Sequence, residues 1–230
     1  MYSLRILYTI LSSIRFKYRR RLIMVNIAGA GVRGLSCAHY LVKKGINVTI
    51  YECRQEIGNP VRSPGIIKEL DPSFIKKTLA RKTNYGWALR REWFEKELAK
   101  KVFDLGCNII LKTPAPEDSI NCTGGKSSSP GWPLSGTQYN LVKWNGGIVI
   151  RKDVPKEFTI DSLENDRFCF ERGDGLVECW IRGELPRPRQ GWLELMQGEH
   201  PEDSNKLWID EAILEGEDIA KSIIHHLKDE

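Results

Sequence analysis

The sequence predicts an α/β protein in which a parallel sheet flanked by helices is joined to a smaller antiparallel sheet. Two patterns predict this class. Residues 24–52 read as strand, glycine-rich turn, helix and strand, and residues 148–181 read as short β-rich stretches separated by turn residues. Size is the third observation, because 230 residues with 41% hydrophobic and 28% charged side chains can bury an extensive core without a metal or disulfide.

The first element in chain order is a β-α-β unit. Residues 24–28 form a short apolar strand that runs directly into the glycine motif G-x-G-x-x-G at 29–34. Gly45 is placed to end the following helix, and residues 46–51 return as a β-rich strand that ends at Glu52. The helix itself is predicted from apolar residues at helical spacing: Leu35, Ala38, Leu41 and Val42.

Each glycine of this motif has a physical role in binding a dinucleotide. Gly29 permits the tight turn, Gly31 lets the main chain approach a pyrophosphate, and Gly34 allows the helix to pack closely on the strand. The N–H groups at the start of the helix attract the anion. Glu52 is positioned to accept hydrogen bonds from a ribose 2′-hydroxyl. Both NAD and FAD use such a unit, and a glycine-rich turn without a ligand is the alternative interpretation.

Further elements follow from periodicity and turn residues. An amphipathic helix around Phe94 ends before Gly106, a strand follows at 108–111, and a long helix covers 209–227. The sequence Arg-Gly-Asp-Gly at 172–175 predicts a hairpin in the antiparallel lobe. Aromatic residues are concentrated in this lobe, where they form either its core or a wall beside an apolar ligand.

Five further segments carry a family resemblance, and they occur in the family's order: Arg54 with 58–65, then 91–98, 120–125, 198–199 and 212–220. Together with the glycine motif, they resemble geranylgeranyl reductase-type flavoproteins. Ser63 departs from that family's P-V-R-C sequence, and Glu199 stands in place of the aspartate of its G-D motif. The connection between 111 and 120 is shorter than the family's, which implies a reduced version of the fold.

The resemblance implies an FAD-dependent oxidoreductase that moves hydride through flavin N5 to or from an apolar substrate, of the isoprenoid class in the family. It also implies an electron donor, either NADPH or an electron-carrier protein, and it leaves reductase and monooxygenase types unresolved. The candidate cofactor contacts are Gly29, Gly31, Gly34, Glu52, Arg54, Arg62, Arg91, Gly124, Gly198 and Glu199. The sequence identifies no catalytic acid or base, since a lone histidine such as His200 is more typical of a structural or solvated site.

Two other functions stay open. One is a non-catalytic dinucleotide-binding or regulatory protein descended from such an enzyme. The other is an NAD-dependent dehydrogenase, which leaves Gly198, Glu199 and the final helix without an assigned task. The sequence contains no second G-x-G-x-x-G motif, so no separate NADPH-binding domain is expected.

The formal net charge of +5 comes from residues 1–23, which contain six basic side chains and no acidic one. The rest of the chain has 29 basic and 30 acidic residues, so no nucleic-acid partner is expected. Three interpretations of residues 1–23 stay open: an extension misassigned before a start at Met24, an amphipathic helix on a membrane surface, and a disordered arm.

These observations divide the chain into a basic extension at 1–23, an FAD-binding domain at 24–125 and 191–230, and a substrate lobe at 126–190. No two of the six cysteines are spaced as a C-x-x-C metal or redox pair. That spacing favours a reduced, cytoplasmic setting, with membrane association as an addition if the extension binds lipid. No metal site is expected.

Overall fold

The structure is a computed structural model, and it describes residues 24–123 and 141–229. The chain divides into two compact units. Unit 1 comprises Met1–Gln55, Ala99–Ser135 and Gly216–Glu230, and unit 2 comprises Glu56–Leu98 and Gly136–Glu215. The N-terminal extension and Gly124 lie outside the described residues, so the expectations for them stay predictions.

In chain order the strands are β1 (Met24–Ala28), β2 (Asn47–Glu52), β3 (Ile66–Ile67), β4 (Arg81–Lys82), β5 (Trp87–Ala88), β6 (Asn108–Leu111), β7 (Ile120–Asn121), β8 (Leu141–Ile150), β9 (Ser162–Leu163), β10 (Arg167–Glu171), β11 (Leu176–Ile181) and β12 (Glu194–Pro201). The helices are α1 (Val32–Lys43), α2 (Pro72–Ile75), α3 (Arg91–Asp104) and α4 (Ile209–Asp229). Among the helices of the described residues, none is both long and apolar enough to cross a membrane.

Unit 1 contains a parallel sheet with the strand order β6-β2-β1-β7. β1 pairs with β2 from Met24, opposite Asn47, to Ala28, opposite Tyr51, and β7 pairs with the other edge of β1. Ile27 on β1 is fully buried, as expected for the central strand of a sheet covered on both faces. The parallel sheet and the β-α-β unit that the sequence predicts are confirmed.

Helix α1 ends where the sequence predicts. Gly45 has φ +78°, a left-handed conformation that favours glycine. The N–H groups of Lys44 and Gly45 donate to the carbonyl oxygens of Leu41 and Val42, each at 2.9 Å. These hydrogen bonds satisfy carbonyl groups of the last turn and direct the chain into β2.

Helix α4 approaches α1 closely at Gly216. A Cβ atom at this position would lie 2.2 Å from the carbonyl oxygen of Arg33 and 3.0 Å from the nitrogen of Cys37. Only glycine fits there, which confirms the close backbone approach predicted from the sequence.

Unit 2 contains a five-stranded antiparallel sheet with the order β12-β8-β11-β10-β9. The predicted hairpin joins β10 to β11: the Arg172 N–H donates to the Leu176 carbonyl oxygen at 2.9 Å, and Gly175 has φ +77°. β11 covers the predicted residues, so the antiparallel lobe of the predicted fold class is confirmed.

The two faces of this sheet contact separate apolar clusters, because successive side chains of a strand point to opposite faces. The aromatic cluster contains Trp144, Phe168, Phe170 and Trp180 together with residues such as Met196 and Trp208. The second cluster contains Val149, Phe158, Cys169, Val177, Cys179 and Ile181. Both clusters belong to the hydrophobic core. Of the two interpretations of the aromatic residues, core packing or a wall beside an apolar ligand, this agrees with the first.

Glu178 and Arg172 form a buried ion pair next to Trp180 of the aromatic cluster. Glu178 and Arg172 are 5% and 2% exposed, and Glu178 Oε2 lies 3.5 Å from Arg172 Nη1. Glu178 Oε1 accepts hydrogen bonds from the Gly65 N–H at 3.0 Å and from Trp180 Nε1 at 2.7 Å. The carboxylate therefore connects the segment before β3 to the sheet.

Several elements of unit 2 were not expected from the sequence. β12 pairs with β8 along its whole length, so Gly198 and Glu199 lie inside an antiparallel strand. The sequence resemblance places this segment in the nucleotide-binding domain. Its side chains alternate between exposed and buried from Leu195 to Glu199, the period of a strand with one covered face. A small sheet with the order β3-β5-β4 and helix α2 were also not foreseen, and the boundaries of the predicted domains stay a prediction.

Candidate functional site

The turn between β1 and α1 requires glycine at its first position. Gly29 has φ +104°, and its N–H donates to the Tyr51 carbonyl oxygen at 2.8 Å. A Cβ atom here would lie 3.2 Å from both the Cys122 carbonyl oxygen and Thr123 Cα. Both the backbone conformation and the confined space therefore select glycine.

Gly34 sets the distance between α1 and the turn. A Cβ atom at Gly34 would lie 1.9 Å from the Gly29 carbonyl oxygen and 3.3 Å from Cys122 Cβ. No side chain can occupy that space, so the helix packs against its own turn. This contact is the packing role that the sequence assigned to the third glycine of the motif.

Gly31 differs from both of these glycines because the space beside it is open. It is the N-cap of α1, with extended backbone angles of φ −79° and ψ 178°, and a Cβ atom there would meet nothing within 4 Å. No side chain caps this helix end, and its first turn contains no acidic residue. Main-chain N–H groups and the positive end of the helix dipole are thus available to a phosphate group, which fits here in space and charge.

Glu52 is 3% exposed and closes the other side of the turn. Its Oε2 accepts a hydrogen bond from the Ala30 N–H at 2.9 Å, within the glycine motif. The Arg54 side chain donates to the same oxygen at 3.0 Å, and the Arg54 N–H donates to Oε1 at 2.9 Å. A ribose hydroxyl that donates a hydrogen bond to Glu52 would use the same carboxylate oxygens as Ala30 and Arg54.

The charge of this carboxylate is stabilised locally. Burial opposes ionisation of Glu52, but the hydrogen bonds and charge of Arg54, together with the Ala30 N–H, outweigh burial and lower its pKa. Glu52 is therefore an ionised acceptor at neutral pH. An acceptor of this kind suits hydroxyl groups of a ribose.

The structure adds contacts that the sequence did not specify, from Ala30 and from the 120–125 segment of the family resemblance. The Ala30 N–H contacts Glu52, and Asn121 Oδ1 accepts hydrogen bonds from the Thr123 N–H at 3.0 Å and from Thr123 Oγ1 at 2.8 Å. Cys122, between Asn121 and Thr123, lies close to Gly29 and Gly34 of the turn. The resemblance of 120–125 to a family segment was the indication in the sequence, and an asparagine two residues before a threonine is also a turn signal.

Four predicted cofactor contacts lie in unit 2. Arg62 is exposed, whereas Arg91 is 8% exposed. Arg91 Nε lies 3.0 Å from Glu95 Oε1, and Arg91 Nη1 donates to the Pro64 carbonyl oxygen at 2.9 Å. Arg91 therefore links the start of α3 to the segment before β3. Its guanidinium group is buried and paired, unlike the solvated charges that are common at helix ends.

Gly198 and Glu199, the other two, lie on β12. A Cβ atom at Gly198 would be 2.1 Å from the Arg62 carbonyl oxygen, so only glycine fits. The next side chain on the same face, His200, places Nε2 2.6 Å from that oxygen. Burial, aided by the charge of Arg91, lowers the pKa of His200 to about 4, although the Arg62 carbonyl opposes the shift. His200 is neutral at pH 7, while Glu199 is exposed.

Within residues 24–123 and 141–229, no group of three or more His, Cys, Asp and Glu side chains is arranged to hold a metal ion. Burial raises the pKa of Glu178 and lowers that of His200, and both side chains are engaged with backbone or ion-pair partners. Neither side chain is therefore assigned as a proton donor.

Known proteins are similar to parts of this chain. A family model described as an NAD(P)-binding Rossmann-like domain matches residues 27–73. The digeranylgeranylglycerophospholipid reductase of Thermoplasma acidophilum is 30% identical over 119 residues, and that of Methanocella arvoryzae is 32% identical over 117 residues. Each of these matches covers 40% of this chain and 30% of the relative.

A solved structure of the halogenase PltM superimposes with a TM-score of 0.56 at 11% identity, covering 90% of this chain and 70% of that one. This likeness shows the fold. The curated relatives confirm the resemblance read from the sequence, although the chain matches less than a third of their length.

Proposed function

We propose that this chain, a relative of the geranylgeranyl reductase-like flavoproteins, is an oxidoreductase that binds FAD at the Gly29–Gly34 turn. The observation that carries the proposal is the open N-terminus of α1 at Gly31, next to the buried, ionised Glu52. When bound, FAD supplies hydride transfer through its N5 atom.

The residues of the chain have distinct tasks in this proposal. Main-chain N–H groups from Gly31 onward bind the pyrophosphate, and Gly29 and Gly34 keep the turn tight enough to present them. Glu52 accepts hydrogen bonds from the ribose, with Arg54 keeping its carboxylate ionised. The remaining proposed contacts to FAD are Arg62, Arg91, Gly124, Gly198 and Glu199.

The proposed substrate is an apolar molecule of the isoprenoid class. Support comes from the names of the two relatives, which are reductases of a lipid with geranylgeranyl chains. The electron donor in the proposal is NADPH or an electron-carrier protein. Contact of residues 1–23 with a membrane surface belongs to the same proposal, because a lipid substrate is presented there.

The test uses the full chain as purified. Flavin absorbance, or uptake of added FAD measured by quenching of flavin fluorescence, is the expected result. Gly31→Val should fold normally, because its Cβ meets open space, and should bind FAD at least about tenfold more weakly, because the side chain occupies the phosphate path. Met24→Glu, an exposed change at the opposite end of β1, is the control and should bind like the wild type. Equal FAD affinity of Gly31→Val and wild type would exclude this turn as the site.

A nicotinamide dinucleotide is the second candidate ligand, and the description of the matched family model favours it. Parallel titrations with FAD and NADH separate the two. If FAD binds, anaerobic mixing with NADPH or a reduced carrier protein follows. Reduction of the bound flavin supports an enzyme, and failure with every donor supports the non-catalytic dinucleotide-binding alternative.

A further inference from the structure

We propose that Cys169 and Cys179 form a reversible redox site, a disulfide that links β10 to β11. The two residues are ten positions apart in the sequence, and all six cysteines are free thiols in this structure. The proposal stands independently of the dinucleotide site, since both cysteines belong to unit 2.

The register of the hairpin places the two cysteines directly opposite each other. The Arg172 N–H donates to the Leu176 carbonyl oxygen, so these two residues form a hydrogen-bonded pair. Hydrogen-bonded and non-hydrogen-bonded pairs alternate along an antiparallel ladder, which makes Cys169 and Cys179 a non-hydrogen-bonded pair. The Cα atoms of such a pair are typically about 4.5 Å apart, within the range that a disulfide spans.

The side chains already meet. The Sγ atoms of Cys169 and Cys179 are 2.8 Å apart, and both residues are fully buried. Val149, Phe158, Val177 and Ile181 surround them in one apolar cluster. Joining the sulfur atoms therefore requires no new alignment of the strands and removes no polar contact with solvent.

Glutathione disulfide is a sufficient oxidant for the reaction. The thiolate of one cysteine attacks a sulfur of glutathione disulfide, forms a mixed disulfide and releases one glutathione thiolate. The second cysteine then attacks the protein sulfur of the mixed disulfide and releases the second glutathione. Both protein sulfurs are oxidised, both glutathione sulfurs are reduced, and the two thiol protons pass to the two glutathione molecules.

Burial controls how fast the site reacts. Desolvation, together with the neighbouring Cys169 thiol, raises the pKa of Cys179, so the reactive thiolate is scarce while the sheet is closed. β10 and β11 also lie between β9 and β8 in the sheet. Oxidation therefore proceeds during folding or local opening of the hairpin, and it is slow in the closed sheet.

Oxidation of the two cysteines would affect the aromatic side chains on the opposite face of the hairpin. Phe168, Phe170 and Trp180 alternate with the cysteines along the same two strands and point to the aromatic cluster. A disulfide prevents slippage of one strand along the other, so it holds these aromatic side chains in register.

Peptide mapping of the full chain tests the proposal. The protein is unfolded and refolded in glutathione buffers of different disulfide content, then alkylated with iodoacetamide and digested with trypsin. Cleavage after Arg167, Arg172 and Arg182 places Cys169 in peptide 168–172 and Cys179 in peptide 173–182. The expected result is one linked product of these peptides after oxidation and two alkylated peptides after dithiothreitol. Oxidation should also raise the melting temperature by about 5 °C or more.

Two variants make the test specific. Cys53→Ser removes an exposed thiol and should leave the linked product unchanged. Cys169→Ser should abolish it and leave Cys179 alkylated in every buffer. If that variant fails to fold, the wild-type map still decides. Full alkylation of both peptides in the most oxidising buffer overturns the proposal, as does a link from either cysteine to a different partner such as Cys37 or Cys122.

Discussion

Replacing Gly34 with alanine tests the geometry of the glycine turn most directly. The added Cβ would lie 1.9 Å from the Gly29 carbonyl oxygen, whereas ordinary contacts begin at 3.4 Å. The turn and α1 must therefore separate by about 1.5 Å, or the helix must tilt. The obstructing atom belongs to the main chain, so no rotation of a side chain relieves the contact.

Two opposing effects set the size of the change. Overpacking of this kind costs about 1–3 kcal/mol and sometimes more. Alanine in a helix gains up to about 1 kcal/mol over glycine. Because the overlap with Gly29 is severe, we expect a net loss of about 2 kcal/mol in the free energy of unfolding. For a chain of this size, that loss lowers the melting temperature by about 4–8 °C.

The measurement is urea and thermal unfolding followed by circular dichroism, with Gly31→Ala as the matched control. Gly31 has φ −79° and open space at its Cβ, so the control should lie within about 0.5 kcal/mol of the wild type. If Gly34→Ala is as stable as Gly31→Ala, the close packing of α1 on its turn is wrong.

Two further predictions concern unit 2. Glu178→Ala removes one of the two carboxylates that pair with buried Arg172, with Asp174 remaining at 2.8 Å. It also leaves the Gly65 N–H and Trp180 Nε1 without their acceptor, and it should lower the free energy of unfolding by about 3 kcal/mol. Glu178→Gln keeps an acceptor for Trp180 and should lose less stability. Urea unfolding followed by tryptophan fluorescence measures both variants, and a Glu178→Gln variant less stable than Glu178→Ala would contradict this reasoning. The second prediction is a pH dependence from His200, whose pKa of about 4 is below that of an unfolded histidine, about 6.5. The unfolded chain binds the extra proton between these values, so stability falls as pH drops from about 6.5 to 4 and then no further from this source. His200→Gln should flatten that part of the stability curve, whereas the exposed His226→Gln should not, and equal slopes for both would remove His200 as the cause.

Local patterns explain why the β-α-β unit could be predicted closely. Apolar periodicity identifies β1 and α1, and Gly45 provides the left-handed residue that ends the helix. The carboxylate of Glu52 at the end of the second strand is also visible in the sequence. The donors that occupy this carboxylate, Ala30 and Arg54, become evident only when the chain is folded.

The position of Gly198 and Glu199 was harder to predict. Their resemblance to a G-D motif predicts contacts to the cofactor but no strand, whereas the segment alternates exposed and buried side chains and pairs with β8. The strand forms because this segment pairs with β8, some fifty residues away along the chain, and a short motif does not predict such a long-range pairing.

By itself, the sequence determined the glycine turn, the helix that follows it and the acid at the end of β2, because each depends on the conformations and charges of neighbouring residues. Only the tertiary structure brought Cys169 against Cys179, paired Arg172 with Glu178 and placed His200 on the Arg62 carbonyl. The physical reason is that burial and strand register, which set these distances and shift these pKa values, arise from contacts between segments distant along the chain.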